Sequence, residues 1–157
     1  MFNEKREFYK YLRSIKNYNK LCKLLSLYIQ HGDTTVLLHS RNVSYYSFIV
    51  ARRLEKKYKI KFNYEKLVIG AFLHDLFLYD WHERGHKLHG LLHPTLASCN
   101  AKKMCNVSKD IQDVIETHMW PLTITKIPKS KEAFLVNLID KYLSVIETFT
   151  RKRTLGV

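Results

Sequence analysis

Between Gly70 and Leu78 the chain reads Gly-Ala-Phe-Leu-His-Asp-Leu-Phe-Leu, so an imidazole and a carboxylate interrupt an otherwise apolar run. Such a stretch is driven into the interior on folding, and His74 and Asp75 go in with it. A buried carboxylate without a partner is costly, and a metal ion is the simplest partner for adjoining imidazole and carboxylate groups. Any fold for this chain has to solve that problem.

The surrounding pattern is helical. Phe8, Leu12 and Ile15, then Leu21, Leu24, Leu25, Tyr28 and Ile29, recur at intervals of three and four and predict two N-terminal helices broken near Asn17–Asn19. His31-Gly32-Asp33-Thr34 reads as a stop followed by a cap, with Asp33 or Thr34 starting a long helix to about Tyr58. Asn63 caps a helix ending near His74-Asp75. A His-rich loop follows from Tyr79 to His93, and Pro94 sits where a first-turn proline is tolerated. Further helices are expected at about Thr95–Cys105, Ser108–His118 and Ser130–Phe149. Alternating β-patterns are almost absent, so the fold class is all-α, a single-domain helical bundle over residues 1–157. Residues 1–30 are expected to pack on the rest, and 151–157 form a basic tail.

Several histidines and aspartates fall where the periodicity puts core. His39 shares a stripe with Val36, Val43, Tyr46 and Val50; His118 ends the periodic segment Ile111, Val114, Ile115; Asp140 lies among Leu135, Leu138, Ile139 and Leu143. One inward histidine is ordinarily a hydrogen-bonded core residue, and one inward aspartate a cap or an ion-pair partner. Together, His39, His74-Asp75, His93, His118 and Asp140 spread potential ligands over five segments, and the interior of a helical bundle is where such sites assemble.

Charge and cysteine content narrow the setting. The excess of 27 basic over 14 acidic residues gives a net charge of +13. That field attracts phosphate-bearing partners, whether nucleotides, nucleic acid or anionic lipid, although solvated helix faces at Lys5–Lys23 and Arg52–Lys61 account for it as well. Cys22, Cys99 and Cys105 form no C-x-x-C pair, and reduced, mostly buried thiols are expected. No apolar run approaches the roughly 20 residues of a membrane span, and no signal-peptide pattern opens the chain. A soluble cytoplasmic protein is the expectation.

At these residues the sequence resembles the HD-domain superfamily of metal-dependent phosphohydrolases, whose signature runs H…HD…H…H…D. The match covers Thr35 to Val145, roughly two thirds of the chain, in order, residue type and approximate spacing. Two histidines between the HD pair and the last aspartate are similar to the dinuclear branch, which includes dinucleoside tetraphosphate hydrolases, cyclic dinucleotide phosphodiesterases and a diiron oxygenase. Leu78-Tyr79-Asp80-Trp81-His82 and His118-Met119-Trp120-Pro121-Leu122 look like an uncharacterised bacterial branch.

The resemblance implies two divalent metal ions, iron, manganese, nickel or zinc, one held by His39, His74, Asp75 and Asp140, the other by His93, His118 and a bridging Asp75. Two such ions about 3.5–4 Å apart lower the pKa of a shared water and clamp the attacked phosphoryl group, so hydroxide is the nucleophile. His89 competes with His93; Pro94 and the 25-residue step from His93 to His118 favour His93. Asp80 is a proton-transfer candidate by position, with pairing to Arg84 or Lys87 the alternative. His82, Arg84, His86 and Lys87 would make a cationic loop for substrate phosphates, and Trp120 could stack on a base or pack as a lid. Arg41, two residues beyond His39, turns about 200° away on a helix. Lys141, adjoining Asp140, is expected to face away too.

Two departures limit the substrate. The apolar Leu76-Phe77-Leu78 replaces the lysine usual in cyclic dinucleotide phosphodiesterases, whose Gly-Tyr-Pro motif is also absent, and Met119 replaces the threonine usual in the tetraphosphatases. A small phosphorylated substrate in the nucleotide class is expected. The alternatives are a diiron oxygenase on the same scaffold and a catalytically silent module that binds nucleic acid or a protein partner.

Overall fold

The computed structural model describes residues 2–83 and 88–150. Seven helices and one small hairpin are found among them, in the order α1 (Phe2–Arg13), α2 (Tyr18–Leu25), β1 (Ile29–His31), β2 (Thr34–Thr35), α3 (Val36–Tyr58), α4 (Tyr64–Leu73), α5 (His89–Cys105), α6 (Lys109–Thr117) and α7 (Lys131–Thr150). The all-α class holds. No described helix is long and apolar enough to cross a membrane.

Most boundaries follow local chemistry visible in the sequence. The α1–α2 break falls at Asn17, whose backbone is left-handed and whose Nδ2 donates to the Met104 carbonyl at 2.9 Å. Asn63 Oδ1 accepts from the Lys66 amide at 3.0 Å and Ser108 Oγ from Ile111 at 3.4 Å, so both expected caps form.

Three expectations change. Tyr28 and Ile29 leave the helix: α2 stops at Leu25, and residues 29–35 fold back as an antiparallel hairpin that turns at Gly32, where φ is +54°. The cap of α3 is therefore Thr35 and not Asp33 or Thr34; its hydroxyl accepts from the Leu38 amide at 3.2 Å. The third change is in α5, which begins at His89 and leaves Pro94 inside the helix. The extra turn is held in part by the His93 imidazole, which donates from Nδ1 to the His89 carbonyl at 2.8 Å.

Helix α4 is the centre of the molecule. Every residue from Leu67 to Leu73 is buried, as expected of a helix apolar on all sides. Phe8, Leu12, Leu21, Leu25 and Phe48 pack with Phe72 and Leu76 on one flank, and Val43, Val114, Ala133 and Val136 close another. Gly70 permits the approach of α6, since a β-carbon there would lie 2.7 Å from Val114 Cγ1. The C-terminus of α4 thus delivers His74 and Asp75 to the middle of the bundle.

Of the cysteines, Cys99 is exposed and the other two are half-buried, contrary to the expectation of mostly buried thiols; all three are free. Ala97 and Ala101 take the inward face of α5, and Cys99 lies between them on the opposite side.

Candidate metal centre

Five segments meet at Asp75. His39 comes from α3, His74 and Asp75 from the end of α4, His93 from the early turns of α5, His118 from the end of α6 and Asp140 from α7, and all six side chains are buried. Asp75 Oδ2 lies 3.2 Å from His74 Nε2 and 3.7 Å from His39 Nε2. Asp140 Oδ1 completes that side, 3.0 Å from His39 Nε2 and 3.4 Å from His74 Nε2. The other oxygen, Asp75 Oδ1, lies 3.2 Å from His93 Nε2 and 3.6 Å from His118 Nε2, which are 2.8 Å from each other.

The outer nitrogens decide what faces inward. Nδ1 of His74, His93 and His118 lies 2.7–2.8 Å from the carbonyls of Ala71, His89 and Ile115. A carbonyl only accepts, so each Nδ1 carries the proton and each neutral ring presents a bare Nε2 to the centre. His39 is set differently: its Nδ1 meets the Glu147 carboxylate at 2.7 Å. Four imidazole nitrogens and two carboxylates therefore converge, and His74 Nε2 and Asp75 Oδ1 are buried without a hydrogen-bond partner. A cation fits this donor set, and outer hydrogen bonds of this kind are those that orient metal-ligating histidines. Ligand atoms of His39, His74 and Asp140, and again of His74, Asp75 and His118, lie within 4.8 Å of one another, close enough to hold an ion.

Without a cation the cluster holds protons instead. Burial opposes charge on His39, but hydrogen bonds to Asp140 and Glu147 raise its pKa to about 9. His74 is also raised, burial being outweighed by Asp75 and Asp140, while burial and the neighbouring His74 and His93 push His118 down to about 3. Burial opposes ionisation of both carboxylates, yet His74 beside Asp75, and His39 beside Asp140, hold them well below the usual carboxylate range.

Compared with known families, residues 36–144 of the 157 match the HD domain. The chain belongs to the HD-domain family. No curated protein and no solved structure matches it.

A cavity of about 1460 Å³ opens over this HD-domain cluster, lined by Asp75, His93, His118 and Asp140 at its base and chiefly by apolar side chains above. His82 lines it as well. Arg84, His86 and Lys87 lie outside the described residues. Asp80 is not among the lining residues; its Oδ1 accepts from the His82 amide at 2.9 Å. Trp120 is not there either. Its neighbours Met119, Pro121 and Leu122 form the wall, and its own carbonyl is bound by Asn137 at 2.6 Å. His89 stops one turn short of the cluster, stacked on His93 with centroids 4.4 Å apart and bonded through Nδ1 to the Tyr79 hydroxyl.

Arg41 faces away as expected, toward Tyr18 and Cys22. Lys141 corrects its expectation: it lines the cavity, because its long stem lets Nζ reach the His118 carbonyl at 2.9 Å. Burial lowers its pKa, partly offset by Asp140.

Other contributors carried no distinct signal in the sequence. Gln30, on β1, donates from Nε2 to Asp75 Oδ2 at 2.6 Å, and nothing short of the hairpin predicts that approach. Glu147 follows Asp140 by two helical turns on α7, a spacing that places both on one face. That is the one signal that could have found it.

Proposed function

We propose that this HD-domain chain is a dinuclear metal-dependent phosphohydrolase acting on a small phosphorylated substrate of the nucleotide class. The observation that carries the reading is the division of Asp75, with one oxygen toward His39 and His74, which also meet Asp140, and the other toward His93 and His118. The first three residues with Asp75 would hold one ion, and His93 and His118 with Asp75 the second. When bound, a pair of divalent cations supplies Lewis acidity and a water activated near neutral pH.

The remaining residues bind and orient. Gln30 fixes the plane of the Asp75 carboxylate through its 2.6 Å hydrogen bond. Lys141 places an ammonium group beside Asp140 at the base of the cavity, where a phosphate oxygen can take it as a partner. Above it, Trp81, Met119, Pro121, Leu122 and Val145 offer apolar walls to the rest of the substrate. A cavity of about 1460 Å³ is far larger than orthophosphate needs, which favours a nucleotide-sized molecule. The net charge of +13 draws phosphate-bearing molecules toward the protein.

The test is a phosphate-release screen across nucleotides with manganese, iron(II), cobalt and zinc added in turn. Turnover that disappears in His74→Ala while the variant stays folded is the expected result. Normal turnover in that variant refutes the reading, and metal-dependent oxygen consumption without phosphate release replaces it with the oxygenase alternative.

A further inference from the structure

A second cavity, of about 730 Å³, lies where α1, α2 and α3 meet, on the side of α3 away from His39. Tyr9, Arg13, Tyr18, Asn19, Lys20 and Arg41 line it, and no lining residue is acidic. Arg41 is its half-buried cation. The guanidinium touches only weak neutral partners, the Tyr18 hydroxyl at 3.4 Å and Cys22 Sγ at 3.6 Å, and its Nε is buried with no hydrogen-bond partner. Five guanidinium N–H donors are thus served far below capacity.

No described carboxylate neutralises the cavity from within. Arg52, Lys66 and Lys109 each pair with a glutamate, whereas among the described residues no carboxylate forms an ion pair with Arg13, Lys20 or Arg41. Tyr18, Asn19 and Lys20 also form the first turn of α2, and the N-cap Asn17, whose backbone is left-handed, gives that turn no side-chain hydrogen bond. First-turn amides left without a capping side chain favour an anion, as does the positive end of the helix.

We propose that this cavity is a binding site for a phosphate-type oxyanion, carried by free phosphate or by a small phosphorylated molecule, with Arg41 as its central donor and Arg13 and Lys20 at its rim. It is separate from the metal centre and holds whatever reaction that centre performs. A guanidinium fork suits bidentate recognition of phosphate, and Tyr9 and Tyr18 offer aromatic edges to a bound base.

Amide spectra of the isotopically labelled full chain, titrated with inorganic pyrophosphate and separately with AMP, test the site directly. Saturable shifts at Asn19, Lys20 and Arg41 are expected, weakened about tenfold or more in Arg41→Gln and only slightly in the control Lys56→Gln/Lys57→Gln. If pyrophosphate binds there and AMP does not, free polyphosphate is the source; tighter AMP binding makes it a nucleotide site. Should Arg41→Gln fail to fold, Arg13→Gln/Lys20→Gln, on exposed residues, carries the same expectation. Shifts confined to the metal centre, or binding lost equally in the control, overturn the proposal.

Discussion

His39 Nδ1 lies 2.7 Å from Glu147 Oε2, and neither side chain reaches solvent. A carboxylate in that place fixes the ring so that Nε2 faces Asp75 and Asp140, and it raises the basicity of that nitrogen. Glu147→Gln keeps an acceptor but removes the charge, so metal affinity should fall by about 10–100-fold with little change in fold. Competition against a chelator of known affinity measures it; unchanged affinity means that Glu147 only fills space.

Together with His74, which is raised as well, the same histidine sets the pH dependence of the metal-free chain. The folded pKa of His39, about 9, exceeds the ordinary 6.5, so the stability it contributes is fully present below 6.5 and is lost as pH rises through 9. His118, held near 3, is neutral in the folded chain throughout, and its unfolded form loses its charge just above 6.5, so it adds little over most of that window. Metal must displace the His39 proton, so stabilisation by metal should grow as pH rises over the same range. Thermal unfolding of chelated and metal-loaded protein at several pH values between 6.5 and 9 should therefore show curves that diverge; parallel curves contradict the assignment.

Gly70→Ala tests whether helix contact positions the site. The new β-carbon would sit 2.7–2.8 Å from Val114, so α6, which carries His118, has to move from α4. A loss of about 1–3 kcal/mol is expected, together with weaker metal binding. Val114→Ala added to the same chain should recover part of both, and the absence of recovery would place the strain elsewhere.

Lys141→Met should leave metal content intact and raise KM for a phosphorylated substrate by about tenfold, the usual scale for losing one charge-assisted hydrogen bond. Lys141→Arg should recover part of it. An unchanged KM with reduced metal content would make Lys141 a support for the His118 carbonyl and nothing more.

The sequence disclosed much of this arrangement, and for a physical reason. His39, His74, Asp75, His118 and Asp140 stand at apolar helical positions, and periodicity reports burial directly; all of them are buried at one point. Pro94 misled because proline is tolerated at the first turn of a helix, whereas here the helix begins five residues earlier and His93 holds the added turn through the His89 carbonyl. Gln30 was invisible because its approach to Asp75 depends on a short hairpin, and Tyr28 and Ile29 at its entry continue the spacing of the helix before it. Lys141 differs for another reason: its place beside Asp140 turns the backbone direction away from the cluster, but a four-carbon stem carries the ammonium back to the His118 carbonyl.

Metal content of the full chain, purified without chelator and without exposure to oxygen, tests the central claim most directly. About two divalent ions per chain are expected in the unaltered protein. His93→Ala should lose the ion on its side of Asp75, and Asp75→Ala should lose both. An unaltered protein that binds no divalent ion when reloaded, or an Asp75→Ala variant that keeps the full complement, would contradict the account.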